Sequence, residues 1–335
     1  MSGNNSRKSG ITSLMGFGLT AGCFMGVMGL SQAAQATLIH EYSFNTGGIN
    51  ASSGAYNTPD SVGGAAYQAT IMGTGSISNG QVVLTNNNVT SGAAGNAYVS
   101  LPVSALPTTS PTVSFEEWFT GSYDYQSGTS GSVYPYNRGF DFNNDTLNTS
   151  GAVPSDLEVT TPGANAGTYI YQALDSYGSS RTAIASLGYS TESGITDSTD
   201  GWLTKPSATG SPVTHMIATV INQTATGSAP YGTISYFVDG VFRGSSNLTA
   251  ANQWTVVSPS FTNAWLGRSA FPGDGMFNGT IDEFRIFNNA LGNSRVAADY
   301  TAGPNTVLTP EPASLALFGV AGASLLLIRR RRAAV

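Results

Sequence analysis

From Thr37 onward, apolar and polar residues alternate in short runs separated by clusters of Gly, Ser, Asn and Pro. The runs are Thr37 to Phe44, Gly80 to Thr85, Ala97 to Leu101, Thr112 to Thr120, Gly139 to Phe142, Thr168 to Leu174, Thr182 to Leu187, Thr214 to Asn222, Thr233 to Val238, Ala264 to Leu266 and Gly279 to Phe287. Period-two runs bounded by turn-forming residues are strand signals, and no sustained 3.6-residue period competes with them. The pattern predicts an all-β chain in which two antiparallel sheets pack as a sandwich or jelly roll. One hairpin is nearly explicit: Asp239-Gly240 is a pair favoured by the type I′ turn, and strands flank it on both sides. The only helical candidate is short, Leu291 to Tyr300, with Asn293 or Ser294 as its cap. No repeat of fixed period and no Pro/Ser linker interrupts the body. One domain over 38–302, followed by a linker over 303–309, is therefore the economical division.

Composition supports this reading. The hydrophobic share of 40% is enough for a core in a chain of 335 residues, and 41 glycines with only 10% charged residues disfavour a helix-rich enzyme. Charge is unevenly placed. Between Thr37 and Thr309 there are 7 basic and 18 acidic residues, a net of −11. An acidic body argues against nucleic acid and anionic membrane surfaces as partners.

The two ends carry signals of their own. Arg7 and Lys8 precede an apolar, Gly-containing stretch from Ile11 to Leu30, and Ala34-Gln35-Ala36 follows with the small residues a signal peptidase requires. Residues 1–36 thus read as an export signal; a retained transmembrane anchor and, at Cys23, a lipoprotein cleavage box are the alternatives. Cleavage after Ala36 would leave a mature chain without cysteine, hence without disulfides. At the other end, Pro310-Glu311-Pro312 leads into the 16 uncharged residues Ala313 to Ile328 and then Arg329, Arg330, Arg331 and Arg332. By the positive-inside rule those arginines stay cytoplasmic, which leaves the body outside. The order, spacing and terminal position of these parts resemble the PEP-CTERM sorting signal of Gram-negative bacteria; an ordinary tail anchor is the alternative. The resemblance implies processing by an exosortase, transient attachment to the inner membrane through a hydrophobic helix in 310–335, and delivery to the cell surface or extracellular matrix.

Several strands carry a second resemblance. His40-Glu-Tyr-Ser-Phe44, Asp60-Ser-Val-Gly-Gly64, Phe115-Glu-Glu-Trp118, Thr214-His215, Tyr236-Phe-Val-Asp-Gly240 and Gly279-Thr-Ile-Asp-Glu-Phe-Arg-Ile-Phe287, then Asn289-Ala-Leu291, stand in the order typical of LamG-like jelly-roll domains of concanavalin A type. The resemblance is strongest from Tyr231 to Tyr300. It implies two packed antiparallel sheets and binding of carbohydrate or protein; some relatives are glycoside hydrolases or lyases.

The residues themselves do not announce catalysis. Glu116 and Glu117 are adjacent on a strand and so point to opposite faces, whereas a glycosidase needs its two carboxylates on one face. Asp282 and Glu283 fail by the same parity. Strict alternation sets Ile281, Glu283, Arg285 and Phe287 on one face of the last strand, with Glu283 and Arg285 paired, against Asp282, Phe284 and Ile286 on the other. His40 and His215 are the only histidines and lie far apart; without a third histidine or a mature-chain cysteine, zinc is disfavoured. No Gly-x-Ser-x-Gly elbow accompanies them, and His215 reads as a packing residue. Calcium is the cofactor that the oxygen-rich turns favour. Asp141, Asn143 and Asp145 offer oxygens at alternate positions, but Thr146 and Ala152 replace the glycine and glutamate of an EF-hand loop. Asp60 and Asp274 are alternative rim positions, and turn formation is the plainer reading for all three places. Carbohydrate recognition needs flat rings. Tyr123, Tyr125, Tyr134 and Tyr136 crowd a Gly/Ser-rich stretch and Trp202 lies among polar residues, so these are the ligand-contact candidates, while Trp118, Trp254 and Trp265 read as core. Three functions fit: a non-catalytic module binding carbohydrate or extracellular matrix, a polysaccharide-cleaving enzyme on the same fold, and a structural surface protein without a soluble ligand.

Overall fold

A computed structural model describes residues 36–49, 56–86, 90–121, 138–144, 155–160, 171–175, 214–224 and 228–308. Sheet one runs β14 (Val241–Asn247), β13 (Gly232–Val238), β12 (His215–Gln223), β8 (Thr112–Gly121), β16 (Gly279–Phe287), β6 (Gln81–Leu84) and β5 (Ser76–Ser78), and β1 (Leu38–Tyr42) also pairs with β16. Sheet two runs β11 (Tyr171–Asp175), β10 (Asp156–Thr160), β9 (Arg138–Asn143), β15 (Asn263–Leu266), β7 (Tyr98–Leu101), β4 (Ala69–Met72), β3 (Tyr56–Thr58) and β2 (Gly48–Ile49). Every pairing within them is antiparallel. The two-sheet antiparallel sandwich read from the alternation is therefore present. The strand expected at Thr182 to Leu187 lies outside the described residues, as do the two terminal helices.

Alternation along the central strands puts one apolar row between the sheets. Phe115 on β8, Phe140 and Phe142 on β9, Phe284 on β16 and the ring of Trp254 pack there, with centroids 5.0 to 6.4 Å apart. Such aromatic contacts add to the area term of burial. Trp254 belongs to α1 (Trp254–Val257) and donates its indole N–H to the Pro107 carbonyl at 3.1 Å. A second apolar cluster, including Trp118, Met216, Phe287 and Val296, covers the outer face of sheet one. Val296 comes from α2 (Asn293–Ala302), the predicted helix displaced two residues toward the C-terminus. Its cap is Gly292 rather than Asn293 or Ser294, and no side chain closes it.

Two bulges break the parity read from the sequence. Ile281 pairs with Phe119 and Glu283 with Trp118, so Asp282 is the extra residue in β16. Ile281 therefore turns into the core with Phe284 instead of lining up with Glu283 and Arg285. In β9, Phe140 pairs with Val159 and Arg138 with Thr160, which leaves Gly139 extra and swings Arg138 to the outer face beside Asp141. A bulge re-aims side chains in this way because one added residue reverses the pleat. The hairpin β13–β14 turns at Asp239 (φ 50°) and Gly240 (φ 75°), both positive as a type I′ turn demands. The segment expected as a linker is tied to the body as far as Leu308: Asn305 N–H donates to Glu283 (2.6 Å), and Arg285 and Arg295 donate to the carbonyls of Thr306 (3.1 Å) and Leu308 (3.0 Å). Among the described residues no helix is long and apolar enough to cross a membrane.

Candidate functional site

The outer face of sheet two carries a polar row in register: Glu158 on β10, Asp141 on β9, Trp265 on β15, Ser100 on β7 and Thr70 on β4. Asp156 and Asn143 pair in the adjoining row. Alternation explains the placement, since Leu157 and Val159, like Phe140 and Phe142, take the core side. Asp141, Asp156 and Glu158 bring carboxylate oxygens within 4.8 Å of one another, all buried. The guanidinium of Arg138 enters the same cluster, with Nη2 2.5 Å from Glu158 and 2.9 Å from Asp274. Burial pushes the Asp141 carboxyl up to about 7, helped by the Glu158 charge and opposed by Arg138 and by hydrogen bonds from Ala270 N–H and the Asn143 amide. Those two donors lie 2.8 and 2.9 Å from its oxygens.

This network holds down the loop after β15. Asp141 takes the Ala270 N–H, Asp274 takes the Ser269 hydroxyl (2.8 Å), and the Ser91 hydroxyl takes the Ser269 N–H (3.1 Å). The loop in turn presents Arg268. Its guanidinium carbon lies 4.5 Å from the ring centroids of both Tyr98 and Trp265, which meet edge to face at 5.9 Å and 70°. Trp265 is thus buried as expected, but by Arg268 on the outer face rather than in the core between the sheets.

The other expected residues divide. Asp141 and Asn143 stand together, while Asp145, Tyr123, Tyr125, Tyr134, Tyr136 and Trp202 lie outside the described residues, as do Pro310, Glu311, Pro312 and Arg329 to Arg332. At Asp141 the Ala270 N–H and the Asn143 amide each donate to one carboxylate oxygen, and Arg138 places positive charge beside the cluster. Asp60 is a turn residue: one oxygen takes the N–H groups of Glu41, Val62 and Gly63 and the other meets His40 Nδ1 at 2.5 Å. Burial raises the Asp60 carboxyl, but these hydrogen bonds outweigh it and hold the group below its ordinary range. His215 repeats the device, meeting Asp239 at 2.9 Å while Asp239 also accepts the Met216 N–H. The two histidines serve separate turns and form no joint site.

Glu116 and Glu117 point to opposite faces, as parity requires. Glu116 joins Glu283, Arg285 and Asp299 under α2, and Arg285 is bidentate on Glu283 at 2.9 and 2.8 Å, as the sequence suggested. Glu117 points between the sheets, flanked by Ile217 and Phe284, with neither oxygen hydrogen-bonded among the described residues. It faces Gly139, whose added Cβ would stand 2.5 Å from Glu117 Oε2. Gly139→Ala is accordingly expected to destabilise by about 1–3 kcal/mol in urea unfolding. That loss should largely vanish when Glu117 is shortened to Ala, and an unchanged loss would mean that the strand rather than the carboxyl is the obstacle.

Sequence reasoning passed over Asp156, Glu158, Arg138 and Arg268. Asp156-Leu-Glu-Val-Thr160 does alternate with period two, so the two acids were open to detection as one face of a strand. Arg138 and Arg268 acquire their neighbours only through the β9 bulge and the loop after β15.

No curated protein matches the chain. Among solved structures, domain 4 of AbnA, a GH43 extracellular arabinanase from Geobacillus stearothermophilus, in complex with arabinotriose, is 16% identical, with 79% of this chain and 98% of that chain covered and a TM-score of 0.45. The binding domain of botulinum neurotoxin serotype D/C is 11% identical over 79% and 52% of the two chains (TM-score 0.45). The NanB sialidase from Streptococcus pneumoniae is 14% identical over 59% and 25% (TM-score 0.37). The chain spans about half the length of the neurotoxin chain it matches. The family profile Laminin_G_3 matches residues 91–297, more than half of the sequence. With both sheets of the sandwich in place around that span, the chain belongs to the concanavalin A-like lectin/glucanases superfamily.

Proposed function

We propose that the protein is an exported, surface-sorted module that binds carbohydrate without cleaving it, and that its binding face is the outer surface of sheet two around Tyr98, Trp265 and Arg268. The observation that carries this reading is the loop bearing Arg268, held by buried hydrogen bonds against a row of polar and aromatic side chains. Preorganised polar groups suit a ligand rich in hydroxyls. The carboxylates of Asp141 and Glu158 are close enough for glycosidase chemistry, but both are buried and engaged by Arg138 and the loop, which suits a supporting role better than a catalytic one. The family supports the class of ligand, and the signals at 1–36 and 310–335 support export and exosortase-dependent sorting.

Thermal unfolding of the purified protein against a panel of polysaccharides, with calcium and with chelator, tests this. A ligand bound only by the folded state raises the midpoint by mass action. A sugar-dependent rise without release of reducing ends is the expected result. Release of reducing ends would replace the binder by an enzyme, a rise with calcium alone would point to a metal site, and no rise with any polymer would leave a structural surface protein.

A further inference from the structure

We infer that Arg268 makes the binding face selective for polysaccharides bearing carboxylates, that is, for uronate-containing chains; this rests on the carbohydrate reading above. Each of the other arginines paired on the two outer faces, Arg138, Arg285 and Arg295, sits within 4.0 Å of at least one carboxylate. Arg268 has no such partner among the described residues. Among the described residues its one hydrogen bond is a long contact from Nη2 to the Ser91 carbonyl at 3.4 Å, and its Nε–H meets no acceptor. Tyr98 and Trp265 fix the guanidinium from two sides, so little side-chain freedom remains to be lost when an anion arrives. The residue is half-buried, which weakens competition from water. A planar fork of N–H donors matches a carboxylate in two parallel hydrogen bonds, which an ammonium does not reproduce. The acidic body repels a polyanion at long range, and at physiological ionic strength that repulsion is screened beyond about 8 Å. Recognition therefore falls to this local contact.

The test measures affinity of the full chain for polygalacturonate and for the same polymer after carboxyl reduction, at physiological salt and with chelator present to exclude calcium bridging. The intact polymer is expected to bind about tenfold or more tightly than the reduced one. Arg268→Gln should abolish the preference, so that the variant binds the intact and the reduced polymer equally. Arg268→Lys, which keeps the charge and most of the packing stem, should recover only part of the difference, and this variant guards against a folding defect in the first. Equal affinity for the two polymers, or an unchanged preference in Arg268→Gln, would overturn the selectivity while leaving carbohydrate binding intact. Binding of neither polymer, alongside binding of neutral glycans, would also overturn it. Failure to bind any polysaccharide would overturn the carbohydrate reading itself, and this inference with it.

Discussion

Arg285→Ala is expected to destabilise the protein by about 3–5 kcal/mol at pH 8, the range for removing one partner of a buried ion pair. Arg285 is 1% exposed and grips Glu283 with two hydrogen bonds, while its Nη1 lies 3.7 Å from Glu116 and 3.9 Å from Asp299. The guanidinium also packs over Trp118 at 4.3 Å and donates to the Thr306 carbonyl. Without it, the carboxylates of Glu283 and Asp299 stay buried with much less compensation, and the C-terminal strap loses one of its ties. The loss should shrink at pH 5.5. Burial, with a hydrogen bond to Glu41, pushes the Glu283 carboxyl up to about 7 against the pull of Arg285, and removing the arginine raises it further. The orphaned group can then take a proton instead of keeping its charge. Urea unfolding at the two pH values measures both effects. A loss under about 1 kcal/mol at pH 8 would show that the ions are not what holds α2 and the strap to sheet one.

The second large effect concerns Glu117, which has no counter-ion among the described residues. Burial alone pushes its carboxyl up to about 8. An acid whose folded value lies above its unfolded one favours the folded state fully below the unfolded value. That advantage is lost as pH rises, until the folded group ionises as well. Between about pH 4.5 and 8 the loss from this one residue reaches about 5 kcal/mol at most. Asp141 and Glu283, both raised to about 7, shift in the same direction. Stability should therefore be greatest in mild acid and decline toward pH 8. Glu117→Met keeps the shape and removes the charge. It should raise stability at pH 8 by about 2–4 kcal/mol, change it little at pH 5, and flatten the pH profile by the same amount. A variant with the wild-type slope would show that Glu117 is solvated in the folded protein.

The strand pattern and the family are legible in the sequence for a common reason: alternation within a strand and the two-residue turn are local properties. Thr112 to Gly121, Gly279 to Phe287 and the Asp239-Gly240 hairpin announce themselves through residues next to each other. Short strands such as Ala69 to Met72 and Ser76 to Ser78 escape because three or four residues do not establish a period. Asp156 to Thr160 escapes differently: its pattern is clear, but it is too brief to stand out from its Gly- and Thr-rich surroundings.

The candidate site was less accessible. The sequence singles out Asp141 and Asn143 as oxygen donors, and both do lie in the polar cluster. It cannot show that the bulge at Gly139 turns Arg138 onto them, because whether an extra residue is accommodated depends on the partner strand. The same holds for Asp282, whose bulge sends Ile281 inward. By itself, then, the sequence determined an all-β sandwich, an acidic body, the opposite facing of Glu116 and Glu117, and the pairing of Glu283 with Arg285. Apart from the charge, which is a sum over the chain, these follow from neighbours one or two residues apart. Tertiary structure alone decided that Arg268 sits in the corner of Tyr98 and Trp265, that Glu117 is shut between the sheets, and that residues as far as Leu308 are strapped to the body. Each of these is set by contacts between segments distant in the chain, and packing of one sheet or loop on another is the only thing that brings them together.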